Sequence, residues 1–155
     1  MATNGKIVSV SATPTITAGS YTSGKALGGL LTFSGAANGG QAKILSVVVT
    51  DKAGQSSQVD LLLFNQTFTA TADAGSISVS SADLVNSVGY VNVPAANYKN
   101  VGTGSVATVA NVQMGAVAAV DNNLYGQLVC RGTPTYVSTS DIKVTMTLLL
   151  PRGGG

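Results

Sequence analysis

Along residues 141–148 apolar and polar positions alternate strictly. Ile142, Val144, Met146 and Leu148 share one parity; Asp141, Lys143, Thr145 and Thr147 share the other. A period of two places one face of an extended chain in a core and the other in solvent, which predicts a half-buried antiparallel strand. Residues 5–17 alternate as well, with Ile7, Thr15 and Thr17 on one parity and Val8, Val10 and Ile16 on the other. Pro14 has no N–H to give to a ladder, so residues 1–14 are expected as an edge strand or an N-terminal arm.

Two segments are apolar on both parities: residues 43–50 (KILSVVVT) and 59–64 (VDLLLF). The turn-rich stretch between them, DKAGQSS, predicts that they pair as a hairpin. A strand apolar on both faces must be covered on both, either centrally in a sandwich or partly under a neighbouring subunit. Further strands are predicted over 29–33, 77–79, 89–93, 106–114 and 123–131. Within residues 81–88, Ser80 or Ser81 is placed to cap one short helical turn ending at Gly89. Elsewhere helical periodicity is missing, and the Ala- and Val-rich residues 107–119, broken by Gly115, favour strand. About eight short strands separated by turn signals define an all-β chain. The expected fold is an antiparallel β-sandwich, in the form of a jelly roll, over residues 15–150, with residues 151–155 as a flexible tail.

Composition narrows the function classes. The chain has 155 residues, enough for one domain with a substantial core. Charged residues are 9% of it, far below the usual ~25%, and the mean hydropathy is positive. A disordered chain leans the other way. No stretch approaches the ~18 consecutive apolar residues of a membrane helix, and Met1–Lys6 lacks the pattern of a signal peptide. Folding in the cytosol is therefore expected, with no membrane partner.

The inventory of reactive groups points away from catalysis. There is no His, no Trp and no Glu, and Cys130 is the one cysteine. Without His the chain lacks the side chain that titrates near neutrality and the usual general base for a Ser or Cys nucleophile. Metal sites of the His/Cys type fail by counting. A non-enzyme with no catalytic residue, cofactor or metal is the expectation, a Ser/Lys or Asp/Asp pair being the remaining route to catalysis. The net charge of +2, spread over eight scattered Lys and Arg, does not suggest a nucleic-acid partner.

Local motifs carry turn chemistry. Gly28-Gly29 and the GAANGG run at 35–40 lack the phosphate-loop spacing and lead into no helix, so they read as turns with positive φ. The six Asp are dispersed without a calcium-loop pattern, and Asp51, Asp121 and Asp141 stand at predicted strand ends, where carboxylates satisfy turn backbone. Cys130 shares a parity with Leu128 and Leu124, as a buried, inert thiol would.

One resemblance extends over most of the chain. It opens on TITAGSYTSG (15–24) and GGLLTF (28–33), runs through ILSVVVTDK (44–52) and VDLLLF (59–64), and closes on LYGQLVCRGTPTYVSTSDI (124–142). Over residues 15–150 the chain resembles head decoration, or cement, proteins of tailed bacteriophages. These are framework motifs rather than a contact set. The resemblance implies a jelly-roll or related sandwich and a structural role on the capsid exterior, reached by assembly in the bacterial host cytoplasm. It implies the major capsid protein as partner, bound at capsomer junctions, while the doubly apolar strands and the N-terminal arm point to self-association as a dimer or trimer. Candidate contacts are Ile7, Val8 and Val10, which can add a strand to a neighbouring sheet, and Arg131 and Tyr136, types enriched at interface hot spots. Both segments read equally well as an ordinary edge strand and an ordinary loop. The alternative is a receptor- or glycan-binding module of a phage tail or cell-surface appendage, although sugar platforms use exposed aromatics and the chain has only five Tyr, three Phe and no Trp.

Overall fold

The structure, a computed structural model, describes residues 5–118 and 121–151. Among these, ten strands form: β1 (Lys6–Ala12), β2 (Ala26–Phe33), β3 (Gln41–Asp51), β4 (Val59–Phe64), β5 (Ser87–Val93), β6 (Tyr98–Asn100), β7 (Ser105–Val109), β8 (Met114–Val117), β9 (Leu124–Cys130) and β10 (Ile142–Leu150). One helical turn, α1 (Ser81–Leu84), and a 3-10 turn at Ala95–Asn97 are the other regular elements. Ser80 caps α1, its Oγ accepting from the Asp83 N–H at 3.1 Å, so the expected cap is present on a turn shorter than predicted. Of the expected arm, residues 1–4 lie outside the described residues; of the expected tail, residues 152–155 do.

All pairing is antiparallel, in two sheets. The six-stranded sheet runs β1-β10-β3-β7-β6, with β8 also on β3, and the four-stranded sheet runs β2-β9-β4-β5. β7 and β8 lie on the same edge of β3, opposite Val47–Asp51 and Gln41–Ile44, so they act as one interrupted strand. Asn111 and Gln113, both at positive φ, break it inside the predicted strand 106–114. Without the added β6, eight strands remain, arranged β1-β10-β3-β7/β8 over β2-β9-β4-β5. The chain passes between these sheets in the interleaved order of a jelly roll.

Each strand's inward parity builds the core. Ile142, Val144, Met146 and Leu148 are all fully buried, as their alternation predicts. They share one cluster with Leu27, Phe33, Leu61, Leu63, Leu124 and Leu128 of the four-stranded sheet. Each such side chain is worth about 1.5–3 kcal/mol in area removed from water.

The predicted 43–50/59–64 hairpin does not form. β3 and β4 lie in different sheets, β3 between β10 and β7/β8, and β4 between β9 and β5. The connector crosses the end of the sandwich instead. The Asp51 carboxylate fixes that crossing, accepting from the N–H groups of Ala53 and Ser56, both at 2.9 Å. The predicted strand 77–79 is also absent. Residues 74–77 bond to the start of β2 through Ala26 N–H to Gly75 O and Ile77 N–H to Gly24 O, but the contact ends there.

The second apolar face of β4 and β9 is covered within the chain, by residues 65–80. Phe68 stacks on Phe64 with ring centroids 3.9 Å apart, and Tyr125, Leu62, Ala70 and Val79 complete this smaller cluster. Two polar side chains hold the cover. Buried Gln127 bonds both backbone groups of Thr71 and the carbonyl of Gly28, while Asp73 accepts from the Tyr21 hydroxyl and the Gly28 N–H, both at 2.7 Å. Gly28 sits at φ +81° with Pro14 against its α-carbon, and a Cβ there would run into the Pro14 ring.

Burial pushes the Tyr98 and Tyr136 phenols well above their ordinary 10.0, and the nearby Asp51 charge adds to the effect. Well below pH 10.0 both phenols are neutral in folded and unfolded chains alike. As the pH rises further the unfolded chain ionises first, so stability falls. Urea midpoints taken from about pH 8 to about pH 12 should be level at first and then decline. Replacing both residues by Phe should remove much of that decline.

Candidate interaction surface

The outer face of the four-stranded sheet is covered by residues 65–80; among the described residues no segment packs over the outer face of the six-stranded sheet, whose Lys43, Lys99 and Lys143 are exposed. Register fixes which side chains it carries. Lys143, Thr50, Val106 and Lys99 make one cross-strand row; Ser11, Thr145, Val48 and Thr108 make the next. Ile7, Leu149, Lys43 and Gly115 make a row toward the other end. Central residues such as Val48, Thr145 and Leu149 are half-buried by their neighbours, and the lysines are exposed. The face thus combines Val, Leu, Thr and Ser with three ammonium groups, and none of these positions holds a carboxylate.

The carboxylates are used elsewhere. Asp51 and Asp141 are buried in turns, Asp141 accepting from the N–H groups of Val137 and Ser138 at 2.8 and 2.9 Å. Asp121 takes the Asn123 N–H and the Tyr125 hydroxyl, and Asp83 takes the Thr69 N–H. Asp60 pairs with Arg131 at 2.8 Å and accepts from Asn92 on the four-stranded sheet. The turn role expected of Asp51, Asp121 and Asp141 is therefore found. Cys130 is fully buried, its thiol directed at the Gly132 carbonyl.

The candidate contact residues separate. Ile7 is 66% exposed on the open face, while Val8 and Val10, on the opposite parity of β1, are half-buried against the core. Arg131, just past β9, lines a polar cleft of about 300 Å³ with Gln55, Ser57 and Thr133. Tyr136 does not belong with them. It is 3% exposed and packs edge-on against Tyr21 at 5.8 Å, so its ring serves the core. The loop reading failed there because a Tyr beside Thr and Pro gives no local sign of which way its ring turns.

The three lysines were missing from the sequence expectation. Their outward parity was legible strand by strand, but their sharing of one face depends on the pairing of β10, β3, β7 and β6. The Lys25 ammonium donates to the Ser76 hydroxyl at 3.0 Å in a surface pair. Among the described residues no group of three or more His, Cys, Asp or Glu is placed to hold a metal ion.

A scan against protein-family models finds no match, and a search of the curated proteins finds none either.

Proposed function

We propose that this chain is a structural virion protein that decorates and stabilises a bacteriophage capsid by docking on the major capsid protein at capsomer junctions. The observation that carries the reading is the open face of the six-stranded sheet: broad, apolar between its polar positions, and bearing Lys43, Lys99 and Lys143 without a carboxylate. A sheet face of this kind suits a large, flat, acidic partner, since complementary charge speeds encounter and sets register while the Val and Leu positions lose water. The sequence resemblance to phage decoration proteins supports the same reading. Nothing in this role requires catalysis, a cofactor or nucleic acid.

The test is direct. Purified protein is mixed with shells that lack it and the particles are imaged by cryo-EM. Added density at capsomer junctions is expected, and its absence at saturating protein overturns the reading. The triple variant Lys43→Glu/Lys99→Glu/Lys143→Glu should keep its circular dichroism spectrum and lose shell binding. Wild-type binding should weaken as salt rises.

The glycan-binding alternative has less support. Among the described residues Tyr90 is the one strongly exposed aromatic side chain, and the cleft beside Arg131 is lined by none. Saturable binding on a glycan array, lost in Tyr90→Ala, would favour it over the capsid reading.

A further inference from the structure

We propose that the free edge of β1 pairs with the same edge of a second copy, antiparallel about a two-fold axis at Ser9, joining two six-stranded sheets into one. This goes beyond the capsid reading and stands without it, because two copies can pair in the absence of any shell.

The inference rests on a contrast among sheet edges. A sheet edge presents unpaired N–H and C=O groups, and natural proteins blunt such edges with bulges, short strands, prolines or coverings. Five strands stand at sheet edges among the described residues, and four of them are treated in that way; β8, beyond β3 and beside β7, is only four residues long. β6 is only three residues long. β2 carries a register shift between Leu27 and Leu31, and its start is bonded by residues 74–77. β5 holds Gly89 at φ +143° and shifts register opposite Leu63 and Phe64. β1 is different: it pairs with β10 through all seven residues without a shift, and no described residue is paired to its other side. Its sequence, KIVSVSA, contains no Gly or Pro, and its single charge, Lys6, stands at the first position.

The strand is also complementary to itself. About an axis at Ser9, Val8 lies opposite Val10 of the second copy, Ile7 opposite Ser11, and Lys6 opposite Ala12. No like charges meet. A two-fold axis perpendicular to the sheet keeps inner faces together, so the half-buried Val8 and Val10 would be shielded by their symmetry mates. The exposed Ile7 would gain a neighbour in the same way. Such an interface is isologous and closes at two copies. It would also set the open faces of both copies side by side.

The experiment is sedimentation velocity on the full chain over a concentration series. The expected species has twice the chain mass of 15.4 kDa. Ser9 is exposed on β1, so Ser9→Lys should leave the fold, and the melting temperature measured at concentrations where both proteins are monomeric, unchanged while setting two ammonium groups face to face. Dimer affinity should fall by about tenfold or more, and Ser9→Thr should retain it. Under mild oxidation Ser9→Cys should cross-link to its own copy, whereas Ser11→Cys, placed opposite Ile7, should not. A wild-type chain that stays monomeric at every concentration overturns the inference, as does a Ser9→Lys variant that dimerises as well as wild type. A monomer that still binds shells refutes only this inference. A dimer that ignores them refutes only the capsid reading.

Discussion

Leu128→Ala is expected to lower the free energy of unfolding by about 2–5 kcal/mol. Leu128 is fully buried at the centre of β9, in register with Leu27 on one side and Leu61 on the other. Its side chain points between the sheets, where Met146, Val144 and Val47 belong to the same cluster. Truncation removes the transfer free energy of the lost carbons and leaves a cavity between two hydrogen-bonded walls that cannot close independently. Urea unfolding should show a lower midpoint with an unchanged slope. Leu149→Ala, on the open face of β10 in the opposite sheet, is the matched control and should cost no more than about 1 kcal/mol. Equal losses at the two positions would contradict the assignment of inner and outer faces.

Gln127→Leu should also be costly, for a different reason. The Gln127 side chain is fully buried; its Nε2 donates to Gly28 O at 3.0 Å and Thr71 O at 2.6 Å, and its Oε1 accepts from Thr71 N–H at 3.1 Å. Leucine has a similar volume but no polar atom, so three backbone groups lose their partner at once. At about 1–3 kcal/mol for each unsatisfied buried group, the loss should reach about 3 kcal/mol or more, unless water enters. The damage should show first in the cover over the four-stranded sheet. Faster amide exchange at Thr71 and new protease cleavage within residues 65–80 are expected below the global unfolding transition. Unchanged protection at Thr71 would mean that Asp73 and the Phe64–Phe68 stack hold the cover without Gln127.

These two residues show how much of the molecule could be read from the chain. Leu128 was legible, because alternation depends only on strand geometry and needs no knowledge of the partner strand. The same holds for Ile142–Leu148, for the edge position of β1 and for the Ser80 cap, each set by residues within a few positions of one another. Gln127 was not legible. A glutamine within an apolar strand looks like a solvent-facing position until residues 65–80 fold back over it. Tyr136 failed likewise, since its burial depends on Tyr21, more than a hundred positions earlier.

The candidate surface divides along the same line. Lys143 and Lys43 each stand on an outward parity, and the paucity of charge was evident from composition. Their common face was not, because it requires β10 beside β3 and β7 beside β3. The hairpin expected between β3 and β4 was wrong for a related reason: local sequence specifies a strand, a turn and a second strand, but not which edges pair. Here β9 and β10, far along the chain, occupy the edges that a hairpin would have used.

The sequence by itself determined that this protein is an all-β sandwich with a strongly apolar core and a reactive inventory poor in catalytic groups. Those properties follow from the period of each strand and from counting residues. Only the tertiary structure decided that one sheet is covered by its own chain while the other stays open, with lysines on the open face and β1 unblunted at its edge. Both outcomes arise from pairing between distant segments, and no local pattern carries that information.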